Sequence, residues 1–318
     1  MQTKDYGGNS MKRMSLNLSI AVGMVIGLSS LANAHSKHSE NFVEGKTVCK
    51  GFAPANTMKI PVGQRGSNRF ALHAGITEET FNRVLDRVEA LYKDEVQALG
   101  GTLKVNRRWT DATVNASAQQ MGTTWVINMY GGLARHTTIT EDGFALVACH
   151  EMGHHMGGAP KIDGWYGDSW ATNEGGSDYY GTLKCARRYF AQDDNASIVQ
   201  NMKIDPLAEA KCKEQWSDVT QQYICMRASA AAQSVTALLA ELSGDPAPPK
   251  FETPDKKVVS KTDDSHPASQ CRLDTYYAGV GCKADVSLPV SNTDYRQGTC
   301  VAPTDVFGFR PTCWFKPD

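Results

Sequence analysis

The HExxH pentapeptide His150–His154 constrains the fold of this chain more than any other feature. Residues four apart lie on one face of an α-helix, so the two imidazoles can reach a single metal ion. Glu151, one position along, would lie beside the open coordination position, where it can take up a proton and return it. Zinc suits imidazole and carboxylate ligands, and a catalytic zinc keeps one position for water. The pentapeptide therefore predicts a metal-bearing helix over Ala145–Met156 and requires a third ligand.

The chain offers this third ligand on a following helix. A histidine six residues after His154 would complete the pattern HExxHxxGxxH, but Pro160 stands at that position. The segment Asn173–Arg188 instead predicts a helix on which Glu174 and Asp178 share one face. One carboxylate can ligate the metal, while the other accepts a hydrogen bond from a ligand imidazole and so sets its tautomer.

These two motifs together resemble the gluzincins, the zinc metallopeptidases with an HExxH…E site. The segment Asn173-Glu174-x-x-Ser177-Asp178-x-x-Gly181 is similar to the third-ligand motif of the thermolysin family. The resemblance implies one catalytic zinc ion with the ligands His150, His154 and Glu174. It also implies that Glu151 is the general base and that Asp178 accepts a hydrogen bond from a ligand histidine.

The chain upstream of the HExxH helix is similar to the CAAX prenyl proteases and their soluble bacterial relatives. In that family an Asn-Ala strand, an apolar strand and a Gly-Leu pair precede the helix. The corresponding segments here are Asn115-Ala116, Trp125–Met129 and Gly132-Leu133. The resemblance implies that the strand Trp125–Tyr130 is the sheet edge along which an extended peptide substrate lies.

A further pair, His266-Pro267, is followed by Arg272. It resembles the His-Pro…Arg motif that the CAAX prenyl protease family carries after its third ligand. Either His266 or Arg272 could stabilise a transition state, and His266 could also gate the zinc as an extra ligand. The alternative is that His266 starts a turn and that Arg272 is a surface charge.

The remaining sequence predicts an α+β fold. Apolar residues at helical spacing follow Thr77, and Gly100-Gly101 ends that helix. Three strands are predicted next, at Leu103–Trp109, Thr113–Gln119 and Thr123–Tyr130. We therefore expect a zincin-like domain with a small mixed sheet and active-site helices, followed by a helical block from about Pro206 to Leu242 and a disulfide-rich C-terminal segment.

The N-terminal sequence has the features of a secretory signal peptide. Lys12 and Arg13 precede an apolar stretch, which ends with the small residues of Ala32-Asn33-Ala34. The uninterrupted apolar run Ile20–Leu28 is shorter than the about 20 residues that a membrane-spanning helix needs. We therefore expect a secreted or periplasmic protein with no stable membrane insertion after cleavage.

Composition and charge exclude other classes of protein. Lys and Arg number 33 and Asp and Glu 34, so the net charge of −1 predicts no general attraction to nucleic acid or to an anionic membrane. A hydrophobic content of 41% is that of a folded protein. The predicted organisation is a signal peptide (1–34), an N-terminal arm (35–72), a zincin-like metallopeptidase domain (73–244), a linker or loop (245–264) and a Cys-rich segment (265–318).

Nine cysteines fit an oxidising compartment, and no CxxC pair points to a structural zinc knuckle. An odd number predicts four disulfides and one free thiol. Cys149, inside an apolar helical run, is the expected free thiol. The expected pairs are Cys212 with Cys225, and two pairs among Cys271, Cys282, Cys300 and Cys313.

The motifs and their resemblance imply an exported zinc metallopeptidase. Such an enzyme, most simply an endopeptidase, would hydrolyse protein or peptide substrates through a zinc-activated water, with Glu151 as general base. The alternative is a non-catalytic or latent zinc-binding, chaperone-like protein of the cell envelope. Glu151 favours the enzyme, because a purely structural site does not need a glutamate that has no ligand duty.

Overall fold

The computed structural model describes residues 51–64, 75–164, 167–301 and 305–317. The predicted signal peptide (1–34), Cys49 and much of the predicted arm lie outside the described residues. The described residues belong to one compact unit. None of their helices is long and apolar enough to cross a membrane.

The predicted α+β architecture is confirmed: one long helix precedes a small sheet, and further helices follow a second, two-stranded sheet. The strands are β1 (Thr102–Arg108), β2 (Ala116–Met121), β3 (Thr124–Tyr130), β4 (Lys161–Gly164) and β5 (Gly167–Thr172). The helices are α1 (Glu78–Ala98), α2 (Gly131–Ala134), α3 (Glu141–Met156), α4 (Glu174–Tyr180), α5 (Arg187–Phe190), α6 (Asn195–Gln200), α7 (Pro206–Gln215), α8 (Val219–Ser243) and α9 (Ser269–Gly281). A π-helical segment, Gly181–Ala186, joins α4 to α5.

The three-stranded sheet has the order β1-β3-β2, with β3 parallel to β1 and antiparallel to β2. Both sides of β3 are therefore paired, and the expectation that Trp125–Tyr130 forms the sheet edge is wrong. The nearly continuous apolar run Trp125–Met129 is typical of a buried interior strand, and the backbone of β3 pairs with β1 on one side and β2 on the other. The start of β2 is itself covered, because the Phe52 N–H donates to the Ala116 carbonyl at 2.9 Å.

Helix α1 begins as its sequence predicts. The Thr77 hydroxyl caps it by accepting from the Thr80 N–H at 3.2 Å. Gly100, with φ of +80°, follows its end in a conformation that favours glycine. One face of the helix is buried against β1 and α3 through Phe81, Val84, Leu85, Val88, Tyr92 and Val96.

Helix α3 carries the HExxH motif through the middle of the molecule. The Thr140 side chain caps it, accepting from the Gly143 N–H at 2.9 Å. Its apolar residues occur on all sides, as expected of a fully buried helix. It packs against α1, α4, α8 and the π-helical segment. This central position lets elements far apart in sequence meet at its histidines.

Four disulfides are formed by the described cysteines, and their presence suggests an oxidising, extracellular environment. Three of them confirm the expected pairs, with Cys271 bonded to Cys313 and Cys282 to Cys300. The fourth overturns an expectation, because Cys149 is not a free thiol: it is bonded to Cys185. Cys185 lies on the π-helical segment, which packs against α3, and this contact brings the two cysteines within 5.4 Å at Cα.

Candidate metal centre

Three side chains converge between α3 and α4: His150, His154 and Glu174. One ligand atom from each lies within 4.8 Å of the others. His150 Nε2 is 3.3 Å from Glu174 Oε2, and His154 Nε2 is 3.8 Å from Glu174 Oε1. Two donors about 2.1 Å from a tetrahedral ion would lie about 3.4 Å apart. These separations therefore suit a shared metal ion.

The other nitrogen of each imidazole is already occupied. His150 Nδ1 donates to Asp178 Oδ1 at 2.7 Å, as the i,i+4 spacing of the two acidic residues predicts. His154 Nδ1 donates to the Thr172 carbonyl at 2.8 Å and lies 3.0 Å from the Ser177 hydroxyl. These bonds leave both Nε2 atoms as the nitrogens that face Glu174.

Several buried polar atoms at this place have no hydrogen-bond partner: both Nε2 atoms and Glu174 Oε2. Buried polar groups in folded proteins are nearly always paired, so a cluster of polar atoms without hydrogen bonds requires an explanation. A cation bound by all three residues supplies it. The residues present therefore fit a metal ion, and their chemistry of two imidazoles and one carboxylate suits zinc.

The charges around the ligands favour a cation. Burial alone would raise the pKa of Glu174, but His154 and His150 outweigh it and lower the pKa to about 2. Burial alone would lower the pKa of His150, but Asp178 outweighs it and raises the pKa to about 9. Burial lowers the pKa of His154 to about 4. Glu174 is thus ionised, and the surroundings of His150 favour a positive charge that a divalent cation can supply.

Glu151 is the remaining polar residue of the motif. It is fully buried, and neither carboxylate oxygen has a hydrogen-bond partner. Burial, with a further contribution from the charge of Glu174, raises the pKa of its carboxyl to about 8. A carboxylate whose pKa is near neutral is suited to accept and return a proton.

Arg272 lies behind Asp178. Its Nε and Nη2 each lie 2.7 Å from a different Asp178 oxygen, and Nη1 donates to the Phe52 carbonyl at 2.6 Å. It is 1% exposed, so the alternative of a surface charge is wrong. Arg272 contacts the residue that orients His150, on the Nδ1 side of the imidazole and away from Nε2.

His266 lies beside Glu174. Its Nε2 donates to the Gly51 carbonyl at 2.6 Å and is 3.4 Å from Glu174 Oε1. The residue is therefore close to the candidate ligands without being hydrogen-bonded to them. Its gating and transition-state roles stay predictions.

Close packing of α3 on α4 brings the ligands together. A Cβ on Gly153 would lie 2.7 Å from the Ser177 carbonyl oxygen, so only glycine permits this approach. Gly175 gives similar room to Trp314 of the C-terminal segment, because a Cβ there would overlap the indole ring. The Asn173 side chain caps α4, accepting from the Gly176 N–H at 2.9 Å. The C-terminal segment thus braces the helix that carries Glu174.

Sequence reasoning missed three contacts of the centre: the carbonyl of Thr172, the hydroxyl of Ser177 and the ring of Phe52. The Phe52 ring packs edge-on against His150, with ring centroids 5.1 Å apart. Ser177 could have been found, because it lies in the third-ligand motif three residues after Glu174, on the same helical face. Thr172 and Phe52 carry no local signal, since a backbone carbonyl and an apolar ring become specific only in the folded chain.

Comparisons with known proteins found no matching family model, no matching curated protein and no matching solved structure. The resemblance to the gluzincins therefore stays a prediction from motifs. His150, His154 and Glu174 form a candidate metal centre by their geometry alone.

Proposed function

We propose that this chain is an exported zinc-dependent metallopeptidase, most simply an endopeptidase. One observation carries the proposal: three candidate ligands converge with their ligand atoms unpaired, next to a buried glutamate that ligates nothing. A structural zinc site needs four protein ligands, whereas a catalytic site uses three and keeps one position open. His150, His154 and Glu174 supply three.

In this proposal each residue near the centre has a separate duty. Bound zinc would supply Lewis acidity, polarising the scissile carbonyl and making a water nucleophilic near neutral pH. Glu151 takes the proton of the attacking water and delivers it to the leaving amine. Asp178 holds His150 in the tautomer that presents Nε2, and Arg272 holds Asp178.

The proposed location is the cell exterior or the periplasm. The basic start and the small-residue end of the leader support export, and the four disulfides fit the same compartment. Protein or peptide substrates of that compartment are then the proposed targets.

The test compares the chain from His35 onward with its Glu151→Gln variant, measuring bound zinc and cleavage of an unfolded protein. We expect about one zinc in both and cleavage by the parent only. Absence of zinc from both would overturn the metal centre. Zinc in both without cleavage in either would overturn the peptidase and leave a zinc-binding protein.

Burial of the centre favours a second candidate, a latent or non-catalytic zinc-binding protein. Glu174 is 3% exposed, and His150, Glu151 and His154 are fully buried. His266 Nε2 lies 3.4 Å from Glu174 Oε1, so His266 is the candidate for a fourth ligand. The variant His266→Ala separates the two: increased cleavage indicates gating, whereas loss of zinc indicates a closed structural site.

A further inference from the structure

We propose that the Cys149–Cys185 disulfide is a positioning element of the metal centre, so that this disulfide and bound zinc stabilise each other. The inference rests on the proposed zinc site but not on peptidase activity. It concerns how the ligands are held, and it gives the disulfide no part in catalysis.

The position of the disulfide in the chain is the first argument. Cys149 directly precedes the ligand His150, and Cys185 follows Asp178 on the continuation of α4. The bridge joins residues 36 apart in sequence. The loop that it closes contains all the proposed ligands, the proposed base and the residue that orients His150. These are His150, Glu151, His154, Glu174 and Asp178.

The packing between the two helices is the second argument. Among the candidate ligands, between His150 and His154, Gly153 meets the Ser177 backbone, where an added Cβ would lie 2.7 Å from the carbonyl oxygen. Towards the start of α3, a Cβ on Gly181 would lie 3.6 Å from the His150 backbone nitrogen, and the disulfide follows one turn later. The two helical segments are thus held by a tight backbone contact among the ligands and by a covalent bond beside His150.

The distribution of the other disulfides is the third argument. Cys212–Cys225 joins α7 to α8, and the remaining two connect α9 or its end with the C-terminal segment. Among the disulfides of the described residues, only Cys149–Cys185 links α3 to the π-helical continuation of α4. Cys212–Cys225 is therefore a matched control, since its two cysteines are also buried.

Preorganisation is the physical reason for the coupling. Without the bridge, zinc binding must also hold α3 and the α4 region at the correct separation, which costs conformational freedom. Coupling of this kind is reciprocal, so zinc must stabilise the bridge by as much as the bridge strengthens zinc binding. Cys149 and Cys185 are both fully buried, so a reductant reaches them only after the helices separate.

The first experiment measures zinc dissociation constants by chelator competition for three proteins. These are the parent, Cys149→Ala/Cys185→Ala and Cys212→Ala/Cys225→Ala. We expect the first variant to bind zinc about tenfold to a hundredfold more weakly, the range seen when groups that orient ligands are removed. The control variant should keep the parent's affinity although it also loses stability. Equal weakening in both variants, or in neither, would overturn the inference. A parent that binds no zinc would instead overturn the proposed function.

The second experiment uses the unaltered chain and applies even if the variant does not fold. A water-soluble phosphine reduces the bridge: the S–S bond breaks, two thiols form, and the phosphine becomes its oxide with oxygen from water. Alkylation and mass spectrometry then report each disulfide separately. We expect added zinc to slow reduction of Cys149–Cys185 at least severalfold and to leave Cys212–Cys225 unchanged. Equal rates with and without zinc at the first bridge contradict the coupling.

Discussion

The two ends of helix α3 each bury a cluster of charged side chains, but they differ in how the polar atoms are paired. At the N-terminal end, Arg227 bonds both oxygens of Asp142 at 2.7 Å, and its Nη1 bonds Asp193 at 2.7 Å and Asn195 at 3.1 Å. At the C-terminal end, His150 and His154 leave their Nε2 atoms without partners. The same helix thus carries a closed network around Arg227, whose polar atoms are hydrogen-bonded, and an open one at His150 and His154, whose Nε2 atoms have no partner.

Cavity size alone points to the end of α3 opposite the candidate metal centre. A cleft of 1460 Å³ opens beside Arg227 and Asp142, whereas the candidate ligands are almost fully buried. The arginines that line the cleft are all paired with carboxylates: Arg83 with Glu141, Arg87 with Asp193, and Arg227 with Asp142. The comparison teaches that unpaired buried atoms, rather than empty volume, point to the candidate metal centre.

The largest expected effect is loss of zinc binding in Glu174→Gln. The substitution keeps the shape of the side chain but removes the charge that balances a divalent cation. We expect zinc to raise the melting temperature of the parent and not of the variant. Zinc at a hundred times its dissociation constant would stabilise the parent by about 2.7 kcal/mol. Glu141→Gln, at the other end of α3, should respond to zinc like the parent. Zinc-dependent stabilisation of Glu174→Gln would contradict the ligand assignment.

Breaking the closed network around Arg227 should instead lower the stability of the fold without changing zinc binding. Arg227→Met leaves Asp142 buried without its partner, while Asp193 keeps Arg87, and the loss should lower the free energy of unfolding by about 3–5 kcal/mol. Zinc affinity should stay unchanged, because Asp142 is about 12 Å from His150 along the helix. Denaturant unfolding and chelator competition measure the two quantities.

The exposed neighbour of this network supplies its control. Arg83 pairs with Glu141 on the same cleft, with side chains 49% and 40% exposed. Arg83→Met should change stability by no more than about 1 kcal/mol. A similar loss in Arg83→Met and Arg227→Met would show that the buried network is not special.

Two glycines allow the same change at both ends of α3. Gly153→Ala places a methyl 2.7 Å from the Ser177 carbonyl, and Gly143→Ala places one 2.3 Å from the Ser234 hydroxyl. Each should cost about 1–3 kcal/mol of stability by overpacking. Only Gly153→Ala should also weaken zinc binding, because it separates α4 from α3. Unchanged zinc affinity in Gly153→Ala would mean that the helix contact does not set the ligand geometry.

His136 tests whether one unpaired atom is enough to define a site. Its Nδ1 lies 2.9 Å from the Thr138 hydroxyl, while Nε2 is buried without a partner and 3.6 Å from Glu241. No second imidazole joins it among the described residues, so we expect no metal binding there. The expected signature is instead a dependence of stability on pH.

Burial lowers the pKa of His136 to about 4, whereas an unfolded chain has a histidine pKa of about 6.5. The unfolded state therefore takes up the proton first, and stability is lost as the pH falls from about 6.5 to about 4. The full loss is about 3 kcal/mol. His136→Asn keeps an acceptor near the Nδ1 position and cannot titrate. Its unfolding free energy should fall less than the parent's over this interval, and parallel curves would contradict the assignment.

Much of the site was predictable because its pattern is local. The four-residue spacing of His150 and His154, and of Glu174 and Asp178, holds on any helix. The N-terminal cap of α1 at Thr77 and the end of α1 before Gly100 follow from the same short-range geometry. These features need no knowledge of which elements pack together.

The errors arose where packing decides. The strand Trp125–Tyr130 is expected at the sheet edge, but β3 is paired on both sides. Cys149 is expected to be free because it lies in an apolar helical run, and nothing near it in sequence shows that Cys185 lies opposite. Both outcomes depend on contacts between elements that the chain brings together from a distance.

The sequence by itself determined the ligand types, their helical spacing and the helices that carry them, since hydrogen bonding within a helix sets these over a few residues. Only the tertiary structure decided that Arg272 holds Asp178 across 94 residues and that Cys149 pairs with Cys185. It also decided that the Nε2 atoms face Glu174 in an enclosed site. The physical reason is that the side-chain pattern encodes which face of an element is buried, but not which partner covers it.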